Sequence, residues 1–160
     1  MSENLPRLKS VKALPGRKLK LVWRDGETRL CDLTGLIARS KSLAPLEVAV
    51  TFAKVKLIDW GAGVGWPNGL DVSAQTLRRI SGEQLSFDAA SFRAWQAIFS
   101  LSNQEAADAL GLALGTIKNY RNGHAISSAV AIACRAMIND PHVIAAHYRP
   151  RKPGRPLSAA

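Results

Sequence analysis

Residues 101–123 read LSNQEAADALGLALGTIKNYRNG, and this stretch decides the fold of the second half of the chain. Ser102 and Glu105 have the S-x-x-E spacing of a capping box, in which each side chain accepts a backbone N–H at a helix start. Ala107 falls where two helices cross closely, since interaxial distance follows the size of the side chains at the contact. Gly111 stands just past the first helix, where the chain needs left-handed backbone that glycine adopts at little cost. Leu112, Ile117 and Tyr120 then face a core, and Gly123 ends the second helix. The spacing predicts two short helices joined by a tight turn. In that shape the second helix fits the major groove of duplex DNA.

Outward from this unit the period stays helical. Phe92, Trp95 and Phe99 recur at i, i+3 and i+7, one face of a helix starting near Asp88. Ser127-Ser128 caps a helix with Val130, Ala133, Met137 and Ile138 inward, stopping near Asn139–Pro141. Val143–Tyr148 adds a short helical turn. Before residue 85 the period is two. Leu19, Leu21 and Trp23 alternate with Lys18, Lys20 and Val22, as in a half-buried strand. Asp25-Gly26 closes a hairpin onto a return strand at Thr28–Cys31. Asp32 caps a short helix over Leu33–Ala38, and Val55–Trp60 and Val64–Trp66 read as strands separated by the Gly61–Gly63 turn. Asn68-Gly69 is a further turn, and Ser73 caps a helix carrying Leu77 and Ile80. The fold class is α+β. A hairpin-rich antiparallel α+β domain over 1–84 precedes an all-α helix-turn-helix domain over 85–146, and 147–160 form a basic, mobile tail.

Residues 86–146 resemble the Cro/λ-repressor-like helix-turn-helix family. Those domains place a small residue in the second helix, glycine in the turn and a branched apolar residue in the third helix; here these are Ala107, Gly111 and Ile117. The leading Leu101-Ser102 and closing Arg121-Asn122-Gly123 also fit. The resemblance implies a sequence-selective DNA-binding regulator acting as a homodimer, with helix 114–122 in the major groove. It also implies a phosphate contact at Gln104. The chain departs from the family at Ala113-Leu114-Gly115, where members carry capping and base-reading side chains. Alanine as an N-cap loses about 1 kcal/mol relative to serine. The remaining polar candidates for DNA contact are Thr116, Lys118, Asn119, Arg121 and Asn122. Helical spacing makes Lys118 the best-placed base reader, with Asn119 reaching a base or a phosphate.

The first half also has a counterpart. KLKLVWRDGET (18–28), DLTGLI (32–37), LAPL (43–46), VKLIDWG (55–61) and WPNGLDVSAQTL (66–77) resemble the bacterial domain of unknown function DUF2442, over about residues 10–80. That resemblance implies an interaction, sensing or dimerisation module. The alternative function for the whole chain is an antitoxin-like protein that binds a protein partner through this domain.

Charge qualifies the DNA reading. The chain carries 22 Lys+Arg against 12 Asp+Glu, net +10, which favours a polyanionic partner. The excess is uneven: residues 1–20 carry +5 and 147–160 carry +4, whereas 86–146 are neutral. Phosphate neutralisation supplies most DNA affinity, so the ends are expected to assist the helices. Arg151, Lys152 and Arg155 are candidate contacts, in a segment whose Gly154-Arg155-Pro156 resembles the core of an AT-hook.

No enzyme, cofactor or metal site is expected. Gly61-x-Gly63-x-Gly65 runs into Trp66-Pro67 rather than a helix that presents amides to a phosphate. Trp60 and Trp66 are expected to pack in the core or a hairpin. Asp59 and Asp71 read as structural polar residues, and His124, His142 and His147 have no partners at metal-ligand spacing. Cys31 and Cys134 do not make a disulfide scaffold. No signal peptide or run of about 20 apolar residues is present, so a cytoplasmic protein without a membrane segment is expected.

Overall fold

The alternation at residues 18–23 forms strand β2 (Lys18–Trp23), with Leu19, Leu21 and Trp23 buried and both lysines in solvent. In this computed structural model, residues 4–151 are described. They fall into two compact units that meet in sequence between Leu85 and Ser86. The chain is α+β: antiparallel hairpin sheets come first and a run of helices follows.

In the first unit β2 is the middle strand of a sheet, flanked by β1 (Leu8–Leu14) and β3 (Thr28–Asp32), both antiparallel to it. Strand β1 was not expected from sequence. Only Leu8 is fully buried along it, and its exposed Lys9, Ser10 and Lys12 imitate a loop; pairing with β2 makes it a strand. Helix α1 (Thr34–Arg39) begins one residue later than the pattern suggested, and the Asp32 carboxylate accepts the Thr34 N–H at 2.9 Å. A 3-10 segment (Lys41–Glu47) and the short helix α2 (Ala49–Phe52) lead to a second sheet of three-residue strands: β4 (Lys56–Ile58), β5 (Gly63–Gly65) and β6 (Asp71–Ser73). Helix α3 (Ala74–Glu83) follows, its N-cap Ser73 accepting from the Thr76 N–H.

The expected strand over 55–60 stops at Ile58 because Asp59, Trp60 and Gly61 all take positive φ (47°, 53° and 86°). Trp66 is buried, its Nε1 donating to the Phe52 carbonyl at 2.9 Å. Trp60 departs from the expected packing: it is 86% exposed. The glycines at 63 and 65 serve strand packing, since a Cβ there would lie 2.7 Å from the Val72 carbonyl oxygen and 2.9 Å from the Ile58 side chain.

The second unit holds five helices among the described residues: α4 (Ala89–Ile98), α5 (Asn103–Leu110), α6 (Leu114–Arg121), α7 (Ser128–Asn139) and α8 (Pro141–His147). Asp88, Ser102, Ser127 and Asp140 cap four of them through side chains that accept backbone N–H groups. The core gathers Phe92, Trp95, Ala106, Ala107, Ile117 and Cys134, with Tyr120 edge-on to Phe92. On α7 the buried stripe is Val130, Ala131, Cys134 and Met137. Ile138, expected inward, is 44% exposed, because although it shares the angular face of Ala131 and Cys134 it stands in the last turn of α7, one residue before the helix ends at Asn139.

Candidate nucleic-acid interface

The capping box closes as the sequence spacing demands. The Ser102 hydroxyl accepts the Glu105 N–H at 3.1 Å, and the Glu105 carboxylate accepts the Ser102 N–H at 3.0 Å. Gly111 ends α5 at φ 67°, and the Leu112 N–H reaches back to the Ala107 carbonyl at 2.9 Å. Three residues after α5 the chain enters α6, whose N-cap Ala113 offers no side-chain cap. Ile117 anchors α6 in the core.

With Ile117 inward, the exposed positions of α6 and its C-cap are Gly115, Lys118, Asn119 and Asn122. These follow i, i+3, i+4, i+7, one face of a helix. Lys118 makes no ion pair among the described residues. Thr116 is half-buried at the border of this stripe. The Asn119 carbonyl accepts from the His124 backbone N–H at 3.1 Å, fixing the chain as it leaves the helix.

Arg121 is turned away from the stripe and half-buried. Its guanidinium donates to Gln96 Oε1 at 2.8 Å. Gln96 is buried on α4, and its Nε2 donates to the Leu101 carbonyl and to Asn103 Oδ1, each at 2.9 Å. Arg93 donates to the Arg121 carbonyl at 2.6 Å, placing positive charge at the C-terminal end of α6, where the helix dipole favours it. One glutamine thus ties the start of α5 and the end of α6 to α4. Sequence reading missed this device. Its signal was a glutamine four residues after Phe92, on the buried face of an apolar stripe.

Gln104 lies on the first turn of α5 and donates to Asp108 at 3.2 Å. Arg151 grips the same carboxylate through Nε at 2.7 Å and Nη2 at 3.1 Å, a bidentate geometry. Tyr148 donates its hydroxyl to Glu105 at 2.8 Å. The residues just after α8 are therefore seated on α5 rather than running free. Lys152 and Arg155, and with them the AT-hook resemblance, lie outside the described residues.

These contacts set the electrostatics. Backbone donation from Ser102, aided by the Tyr148 hydroxyl, holds Glu105 down to about 2. The Arg151 guanidinium lowers Asp108, and Glu105 in turn raises the Tyr148 phenol. All four acids between 86 and 146 thus have structural partners: Asp88 and Asp140 cap helices, Glu105 closes the box, and Asp108 faces Arg151. The unit is neutral by count, yet its carboxylates are engaged while Lys118 projects into solvent.

Among the described residues no group of three His, Cys, Asp or Glu side chains is placed to hold a metal. Burial pushes the Cys31 thiol up to about 11 and the Cys134 thiol up to about 12, so neither is a thiolate near neutral pH. No helix among the described residues is long and apolar enough to cross a membrane.

Comparison with known proteins bears mainly on the first unit. Residues 8–83 match the family model described as a protein of unknown function, DUF2442, in agreement with the resemblance of the N-terminal half. No curated protein matches the chain. Among solved structures, a crystal structure from Nitrosomonas europaea bearing the description "putative DNA binding protein" is similar, at 25% sequence identity and a TM-score of 0.49. The alignment covers 92% of this chain and 94% of that one.

Proposed function

We propose that this chain is a cytoplasmic, non-catalytic regulator that binds duplex DNA through a helix-turn-helix formed by α5 and α6. The observation that carries the reading is the exposed Gly115, Lys118, Asn119 and Asn122 stripe, on a helix fixed from behind by Ile117 and by the Gln96–Arg121 bond. In this arrangement α6 enters the major groove. Lys118 reaches base edges, Asn119 and Asn122 hydrogen-bond bases or backbone, and Gln104 meets a phosphate beside the groove. The single methyl of Ala113 and the bare Cα of Gly115 let the backbone of α6 come close to the DNA. Arg121 acts as a positioning residue, and Thr116 borders the contact. Arg151 serves first to neutralise Asp108, which would otherwise repel a phosphate near Gln104. Two copies reading half-sites about 34 Å apart would supply the affinity that one such helix lacks.

The test is binding to the DNA upstream of the chain's own gene, against random duplex of equal length, across a salt series. Preference for the upstream sequence is expected, with K118A relaxing it and flattening the log–log salt slope by about 0.9 if Lys118 also neutralises a phosphate. Equal affinity for both duplexes at every salt concentration overturns the reading.

A further inference from the structure

The first unit carries a second surface that the helices do not explain. Trp60 is 86% exposed, more than any other large apolar side chain among the described residues. It sits at φ 53° between Asp59 at φ 47° and Gly61 at φ 86°. Left-handed backbone at a non-glycine residue is strained and persists only where the surroundings enforce it. Here two arginines do so. Arg7 Nη1 donates to the Asp59 carbonyl and Arg24 Nη2 to the Trp60 carbonyl, both at 2.8 Å. Gly61 lies so tightly on β1 that a Cβ would fall 2.1 Å from the Leu8 carbonyl oxygen. The turn is therefore braced by two arginines and by β1, and it holds an indole out in water.

Arg7 and Arg24 also line a cleft of about 430 Å³, together with Trp23, Asp25 and Arg78. Two buried donors of that lining, Trp23 Nε1 and Arg78 Nη1, have no acceptor among the described residues. Trp23 is only 1% exposed, so its indole N–H has little access to bulk water. Arg78 is already paired with the Asp25 and Glu27 carboxylates at 3.0 and 2.8 Å, so Arg7 and Arg24 are the guanidiniums of the lining left to meet an anion with several acceptor oxygens, as a phosphate has. The same two arginines connect that cleft to the exposed indole. Positive charge favours a polyanion, and the first 20 residues hold +5 of the net +10. A bare indole favours a polyanion whose bases are unstacked, because duplex bases offer no free face.

We propose that Trp60 and this arginine cleft bind unpaired nucleotides of a single-stranded nucleic acid. A base stacks on the Trp60 ring, and the adjoining phosphate meets Arg7 and Arg24. The surface is separate from the α6 stripe and gives the chain a second, sequence-tolerant contact.

The test uses the full chain and an oligothymidylate of roughly 15 nucleotides, within the span such sites cover. Trp23, Trp66 and Trp95 are buried, so quenching of tryptophan emission reports Trp60, and W60F should abolish the quench. By anisotropy of the labelled oligonucleotide, W60A should weaken binding about five- to a hundredfold. W60Y should retain most of it, and W60A should leave duplex affinity unchanged, which separates this result from the duplex reading. Because the ring is exposed, unchanged circular dichroism is expected for each variant. Unaltered oligothymidylate binding by W60A overturns the proposal. So does polyglutamate binding as tightly as oligothymidylate with the same dependence on Trp60, which would make an acidic protein the occupant.

Discussion

At Gly115 the space beside the backbone is empty: a Cβ built there meets nothing within 4 Å. The residue lies inside α6, where glycine costs up to about 1 kcal/mol relative to alanine. G115A should therefore raise the thermal midpoint of the second unit, and adding A113S should contribute about 1 kcal/mol more by supplying the missing cap. Both changes should weaken duplex DNA binding if the backbone of α6 approaches the groove as proposed. Gly61 is the opposite case. Its positive φ and its contact with Leu8 leave no room for a side chain, so G61A should destabilise the first unit by more than about 2 kcal/mol in urea melts. Sequence alone could not separate these two glycines. Each follows a plausible turn or helix pattern, and only the neighbouring atoms distinguish open space from a strand.

At the scale of elements, the placement of α5 and α6 rests on two polar clusters. The first is Gln96 with Arg121, Leu101 and Asn103. Q96L keeps the volume but strands a guanidinium N–H and a carbonyl, so it should cost about 1–3 kcal/mol by urea denaturation. The second is Glu105 with Ser102 and Tyr148. Glu105 is held at about 2 in the folded chain against an ordinary 4.5. Folding therefore favours its ionised form, and its contribution to stability is complete above about pH 4.5. That contribution falls away as the pH drops from 4.5 towards 2. E105Q should flatten the acid limb of the stability–pH profile while preserving helix content near neutrality, since glutamine also serves at this position of the box. The caps were legible in the sequence because each joins residues two or three apart. The Gln96–Arg121 bond spans 25 residues and the Tyr148–Glu105 bond 43, and no local pattern announces pairings at that distance.

At the scale of the molecule, the apolar cores of the two units share no residue. Residues 1–85 and 86–160, expressed separately, should each unfold in one cooperative transition, the second followed by the emission of its buried Trp95. A fragment that stays unfolded would show that its core depends on the other half. The sequence by itself determined the change of period near residue 85, the caps at Asp88, Ser102 and Ser127, the turn at Gly111, and the inward face of α6. These follow from hydrophobic periodicity and hydrogen bonds closed within a few residues, so they are written locally. Tertiary structure alone decided that β1 joins the sheet, that Arg121 turns inward while Lys118 faces out, and that Arg151 covers Asp108. It also decided that Trp60 stands in solvent on a braced turn. Each of these depends on partners many residues away, whose attraction is realised only once the chain has closed the intervening loops.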